Sequence, residues 1–234
     1  MLSLQNLTVS YKNYTALNGI SIDFYPNRIY GILGKSGSGK TTLTKAIATI
    51  LPFQGDILIN EEKIDCHKHS IALVPQNHGL IPWKTVKENI AFPLKMRKIY
   101  DEKALFTIGE ELGINKLMNK YPNHISGGEQ QRVSMARGFL SKPHVLLLDE
   151  AFSALDAITK EEAHQVFLRT FNHHKVTTLL ITHDVEEALK LSETIVIIKD
   201  GNIHKTLKNP MFGKEKEDDF TLFLSLQKEI KAAL

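Results

Sequence analysis

One short stretch limits what this chain can be more than any other: Gly34-Lys35-Ser36-Gly37-Ser38-Gly39-Lys40-Thr41. Its spacing is G-x-x-x-x-G-K-[ST], and its flanks fit the pattern. Arg28–Leu33 upstream is an apolar run that reads as a buried strand, and Thr41–Leu51 downstream places Leu43, Ile47, Ala48 and Leu51 at helical spacing. A strand that turns through glycines into a helix aims several backbone N–H groups at one point, where the positive end of the helix dipole adds to them. Such a cradle suits a polyphosphate. Gly34, Ser36, Gly37, Ser38 and Gly39 would line it with Thr42 behind. Lys40 would reach the β- and γ-phosphates, and the Thr41 hydroxyl would ligate Mg²⁺.

Four further strand ends carry polar groups that complement such a site. Val145–Leu148 is continuously apolar and ends in Asp149-Glu150. A strand of that kind is buried on both faces, so its terminal acids emerge at the sheet edge where ligands bind. Asp149 would hold Mg²⁺ and Glu150 would polarise an attacking water. Thr177–Ile181 ends in Thr182-His183-Asp184, which brings His183 to the same edge. Ile71–Val74 ends in Pro75-Gln76, and the Gln76 amide either meets Mg²⁺ and the water or faces solvent. Tyr11 precedes the P-loop strand, placed either to stack on a base or simply to end a strand. Ser126-Gly127-Gly128 opens a helix, a position that binds anions or merely caps.

The rest of the pattern supplies a frame. Residues 2–25 read as antiparallel strands with a turn around Asn18-Gly19. From Trp83 to Leu140 the texture turns helical, with Val86, Asn89, Ile90 and Leu105, Ile108, Leu112 in period and Pro82, Pro93 and Pro122 as punctuation. A hairpin at Asp200-Gly201 follows a strand at Thr194–Ile198, residues 205–217 read as a polar linker, and Asp218-Asp219 caps an amphipathic helix carrying Phe220, Phe223, Leu224 and Ile230. At 42% hydrophobic and 24% charged, the 234 residues suit a globular protein, and no run has the ~18 apolar residues of a membrane span. The net charge of +3 is scattered, which argues against a nucleic-acid binder, and one cysteine excludes an internal disulfide. Cys66-His67-Lys68-His69 lacks the four-ligand spacing of a structural zinc site.

In order and spacing, the P-loop, Gln76, I-S-G-G-E, L-L-L-D-E, S-A-L-D and T-H-D resemble the ATP-binding cassette ATPases over roughly residues 1–207. The resemblance implies an α/β P-loop NTPase fold with a mainly parallel core sheet, an N-terminal antiparallel β-subdomain and an inserted helical subdomain. One domain over 1–234 is expected: β-subdomain and P-loop core to 76, helical subdomain at 77–140, core again at 141–207 and a short helix at 208–234. It also implies ATP and Mg²⁺ as ligands, Tyr11 as the adenine-stacking aromatic and Ser126–Gly128 as the signature. Asp156 would be the D-loop acid and His183 the switch histidine. Glu129 stands where glutamine is commonest, and Ala151 where many relatives have proline.

The implied partners are a second copy of the ATPase, membrane permease subunits and, indirectly, an extracytoplasmic solute-binding protein, with the chain on the cytoplasmic face of the membrane. The Gly79–Ile90 segment is similar to the nitrate, sulfonate and taurine importer group, and related sequences serve pyrimidine precursors. The rivals are the ATPase of a lipid or lipoprotein extrusion system and a P-loop ATPase acting on nucleic acid.

Overall fold

The computed structural model describes residues 1–234 and divides the strands between two sheets. The first is antiparallel, in the order β2-β1-β4-β5, from β1 (Leu2–Tyr11), β2 (Tyr14–Phe24), β4 (Gln54–Ile59) and β5 (Glu62–Lys63). The second runs β10-β9-β3-β8-β7-β6, from β3 (Ile29–Leu33), β6 (Ile71–Val74), β7 (Val145–Asp149), β8 (Thr177–Ile181), β9 (Thr194–Lys199) and β10 (Asn202–Lys208). All its pairings are parallel except that of β10. Helix α1 (Lys40–Ile47) lies between the sheets, and its Leu43, Ala46 and Ile47 join side chains of both in one core.

β7 shows why a strand this apolar belongs in the middle. Val145 and Leu147 point into the core shared with α1, while Leu146 and Leu148 point into the opposite core. Side-chain alternation leaves a centrally paired strand no face for water, so every residue before the terminal acid must be apolar. Truncating Leu147 to Ala would cost about 2–5 kcal/mol in lost burial and cavity.

The opposite core is built by α2 (Val86–Met96), α3 (Glu102–Glu111), α4 (Gly127–Leu140) and α5 (Ala157–His174). Val86, Ile90, Leu105, Ile108 and Leu112 are all buried there, as the helical periods require. A third core joins α6 (Val185–Leu191) and α7 (Phe220–Ala233) to Leu33, Ile195 and Ile197.

Five local expectations fail. The chain does not turn at Asn18-Gly19; β2 runs through it, with Gly19 at φ +64 opposite the register shift between Leu7 and Val9. The reversal falls at Lys12-Asn13, between paired Tyr11 and Tyr14. Helix α1 stops at Ile47, before Leu51, because Thr49 takes a left-handed conformation while Ile50 N–H donates to Lys45 O and Thr49 N–H to Ala46 O. This is a Schellman stop with threonine where glycine is usual. Pro93 lies inside α2 and does not end it. Residues 205–208 are strand, because β10 completes the hairpin with β9. On α7, Phe223 and Ile230 are buried, but Phe220 and Leu224 are exposed.

Where α5 meets α6, His164 is 4% exposed and packs edge-on against Phe152, with centroids 4.8 Å apart. Burial first, and then the Lys160 charge, lower its pKa from 6.5 to about 4. The imidazole is therefore neutral at pH 7, and its 3.9 Å approach to Glu187 Oε1 is no ion pair there. The unfolded chain takes up that proton near pH 6.5 and the folded one near 4. This contribution is complete above pH 6.5 and is lost as pH falls, amounting to about 3 kcal/mol by pH 4. His164→Phe keeps the ring and removes the titration. Urea denaturation between pH 7 and 4 should show the wild type losing about 3 kcal/mol more than this variant; parallel losses would contradict the assignment.

Candidate functional site

The six-stranded sheet places the P-loop, the acids and His183 at one edge. β3, β8 and β7 are parallel neighbours, so the turns that follow them leave at the same C-terminal edge. The P-loop follows β3, His183 follows β8, and Glu150 follows Asp149, the last residue of β7. Gln76 leaves β6, one strand further out.

The P-loop enters α1 through Gly39, which caps the helix at φ +107 and whose Cβ would fall 2.7 Å from Ala16 O. Only glycine accommodates both demands. Lys40 is buried, and its Nζ donates to Gly34 O at 2.7 Å and Lys35 O at 3.0 Å. Burial lowers the Lys40 pKa, while Glu150 and Asp149 oppose that shift. Ser38 Oγ is buried in the same loop without a hydrogen-bond partner. An orphaned hydroxyl beside a curl of amides and a lysine suits an anionic oxygen.

A cleft of about 440 Å³ opens from this loop. Ser36, Gly37, Gly39, Lys40, Thr41 and Thr42 form its floor, Glu150 and His183 one wall, and Tyr11, Tyr14 and Ala16 another. Glu150 Oε2 lies 3.5 Å from His183 Nδ1. Glu150 holds φ +50, and its N–H donates to Ile181 O. A non-glycine residue in that region is strained and persists only where its surroundings fix it. Asp149 is raised above the ordinary carboxylate range, first by burial and next by the Glu150 charge.

Tyr14 is a wall residue the sequence reading missed. It pairs with Tyr11 across the hairpin tip, and its signal was hidden by placing the turn at Asn18-Gly19.

Other expected site residues sit apart from the cleft. Gln76 is exposed and does not line it; its Nε2 donates to Ser153 Oγ at 3.2 Å, and Ser153 Oγ donates to Glu150 O at 2.8 Å. Asp156 caps α5, accepting from Ile158 and Thr159 N–H, and the Thr159 side chain first, then these backbone bonds, hold its carboxyl below the usual range. Ser126–Gly128 open α4 outside the cleft. Ser126 Oγ accepts from Glu129 N–H, and Glu129 Oε2 accepts from Ser126 N–H at 2.7 Å. Glu129 thus closes a capping box and sets its charge at the favourable helix end. A Cβ on Gly128 would lie 2.6 Å from Thr159 Cγ2, so the start of α4 packs closely on the first turn of α5. Elsewhere, Asp65, Cys66 and His67 each bring a ligand atom within 4.8 Å of the others on a largely exposed loop, but His69 Nδ1 instead accepts the Asp65 N–H.

Comparison with known proteins gives the arrangement a family. Residues 17–153 match the model described as ABC transporter. The chain is 37% identical over 206 residues to the aliphatic sulfonates import ATP-binding protein SsuB 1 of Pseudomonas fluorescens, covering 87% of this chain and 75% of that one. It is 36% identical over 239 residues to the molybdate/tungstate import ATP-binding protein WtpC of Pyrococcus horikoshii, covering 99% and 69%. Among solved structures, a dimeric post-hydrolysis state of an ATP-binding cassette bound to ADP and Pi superposes with a TM-score of 0.77 at 28% identity, covering 89% of this chain and 98% of that one. A cleft floored by a P-loop and walled by a carboxylate and a histidine, on a chain matching these proteins along most of its length, belongs to the ABC transporter family of ATP-hydrolysing subunits.

Proposed function

We propose that this chain powers the uptake of a small solute, of the sulfonate kind, through a separate membrane permease, working as one ATPase domain over residues 1–234. The observation that carries the hydrolytic reading is the meeting of Lys40, Glu150 and His183 in one cleft. ATP would place its phosphates on the P-loop amides, Ser38 Oγ and Lys40 Nζ, and its base against Tyr11 and Tyr14. Thr41, Asp149 and Gln76 would hold Mg²⁺, which when bound neutralises phosphate charge; Gln76 would first have to leave Ser153. Glu150 orients and deprotonates the attacking water, and His183, beside it, steadies the γ-phosphate end.

Family logic completes the site in trans. Ser126–Gly128 and Asp156 lie outside the cleft formed by their own chain, so they are available to a second copy. Such a pair would sit on the cytoplasmic face of the membrane, and a solute-binding protein would deliver cargo from the far side. The chain itself has no helix long and apolar enough to cross a membrane. The sulfonate reading draws on the 37% identity to SsuB 1 and on the Gly79–Ile90 segment.

The permease surface would lie along residues 76–96. Trp83 is 77% exposed and Met96 71%, whereas Leu80 packs against the helical core and Ile81 is half-buried. A groove of about 620 Å³ runs between Ile71 and Ala72 on one side and Phe92 and Met96 on the other. The exposed Phe92 and Met96 on this groove would fit an amphipathic helix from the permease, with Trp83 outside the groove as a separate exposed anchor.

Three outcomes follow. Glu150→Gln retains size and hydrogen bonding but takes no proton, so ATP turnover should fall by about 10²–10⁴-fold while nucleotide affinity persists; wild-type turnover in this variant would refute the mechanism. Tyr11→Ala should weaken ATP binding by about 1–3 kcal/mol in fluorescence titration, as for bases stacked on aromatics. Unchanged affinity would remove Tyr11 from the site. Trp83→Glu should release the subunit from permease-containing membranes with ATP turnover in solution retained, and continued membrane association would take Trp83 out of the docking surface.

A further inference from the structure

His183 projects from the sheet edge with its side chain 63% exposed, touching Glu150 Oε2 at 3.5 Å. Its placement therefore comes from the residues on either side. Thr182 N–H donates to Ile32 O, and Thr182 Oγ1 donates to Glu187 Oε2 at 3.1 Å and accepts the Asp184 N–H at 3.0 Å. Asp184 Oδ1 caps α6 through the Glu186 and Glu187 N–H groups. Both neighbours of His183 thus lead to two carboxylates, Asp184 and Glu187.

One cation answers both. Lys160 Nζ lies 2.6 Å from Asp184 Oδ2 and 3.3 Å from Glu187 Oε2. Glu187 is buried at 3% exposed, whereas Lys160 is 21% and Asp184 36% exposed, so the pair with Asp184 meets water while the Glu187 end is shielded. His164, also in this interface, is neutral at pH 7 and supplies no second cation. Lys190, on the facing α6, is bound to Glu161 and Glu215. Lys160 itself stands in the first turn of α5, where its N–H donates to the carbonyl of Asp156, the cap. The ammonium group therefore joins the start of α5 to the loop that carries His183.

We propose that Lys160 is a positioning residue for ATP hydrolysis: through Asp184 and Glu187 it holds the His183 loop on the first turn of α5, keeping His183 beside Glu150. The inference rests on the reading of His183 and Glu150 as the groups that act on ATP. Lys160 does not line the cleft, so it acts without touching nucleotide. Its removal takes the shared counter-charge from Asp184 and from Glu187, whose pKa burial already raises, and frees Asp184 and the adjoining His183 backbone from α5. A shift of a fraction of an ångström at a catalytic group is enough to slow a reaction whose geometry is pre-set; a 1 Å misplacement can cost ~10²-fold.

The test measures steady-state ATP turnover for Lys160→Met, Lys160→Arg and Asp184→Asn. Asparagine still caps α6 but no longer pairs with the ammonium. Lys160→Met and Asp184→Asn should each lower kcat by about 10-fold with KM for ATP unchanged, and Lys160→Arg should restore most of the rate. In a His183→Ala background, followed by single-turnover phosphate release, Lys160→Met should cost nothing further, because the group it positions is gone. Should Lys160→Met not fold, Asp184→Asn in the same two backgrounds carries the test. A rise in KM with kcat unchanged, or an undiminished loss in the His183→Ala background, would overturn the proposal alone. Wild-type kcat in His183→Ala by itself would overturn the reading of His183 and the proposal with it.

Discussion

β8 is hydrogen-bonded on both sides, to β3 and to β7, and all three strands run in the same direction. In that register Ile32, Ile181 and Asp149 lie side by side, the last two ending their strands and Ile32 one residue short of the end of β3. The P-loop, the His183 turn and Glu150 are brought together by backbone pairing before any side chain chooses a rotamer. Two further bonds extend the arrangement beyond the strands: Thr182 N–H to Ile32 O, and Glu150 N–H to Ile181 O. The apolar faces of β7 are interchangeable, so its register is marked by its end: a one-residue slip would draw Asp149 into the core.

On this frame the cleft concentrates charge that burial makes costly. Lys40, Asp149 and Glu150 share one region, and burial disfavours the charged forms of Lys40 and Asp149. Their mutual attraction offsets part of that cost, and the P-loop carbonyls hold the ammonium meanwhile. A polyphosphate offers Lys40 a stronger partner than two carbonyls do, because charge-assisted hydrogen bonds are roughly twice as strong as neutral ones. The strained backbone at Glu150 belongs to the same economy: its φ of +50 is held by the Ile181 carbonyl and by Ser153, whose hydroxyl also meets Gln76.

Most of this was legible in the sequence because it depends on local signals. Glycines before a lysine, an apolar run ended by two acids, and T-H-D after another apolar run each mark a strand end. Parallel sheets collect such ends along one edge. What escaped depends on conformations that side-chain identity does not announce. Thr49 ends α1 from a left-handed conformation usually left to glycine, and β2 absorbs Gly19 within the strand. That second misreading moved the hairpin tip and concealed Tyr14. The network joining Lys160, Asp184 and Glu187 was equally invisible, since its members are 24 and 27 positions apart and meet only when α5 packs on α6. The Ser126 cap was read correctly as a helix start, but Glu129 as its reciprocal partner was passed over, although Ser126-x-x-Glu129 has the capping-box spacing.

The central claim is that each ATP site is completed by a second copy. Ser126 is a poor place to test it, because its hydroxyl caps α4 and a substitution there would also weaken the helix. Gly127 is better: it is exposed, and a Cβ there would meet nothing within 4 Å in its own chain. Size-exclusion chromatography with light scattering of Glu150→Gln should show a dimer with MgATP and a monomer with ADP. Adding Gly127→Arg should abolish that dimer while ATP still binds the monomer. A Glu150→Gln protein that stays monomeric with MgATP, or a double variant that still dimerises, would contradict the composite site.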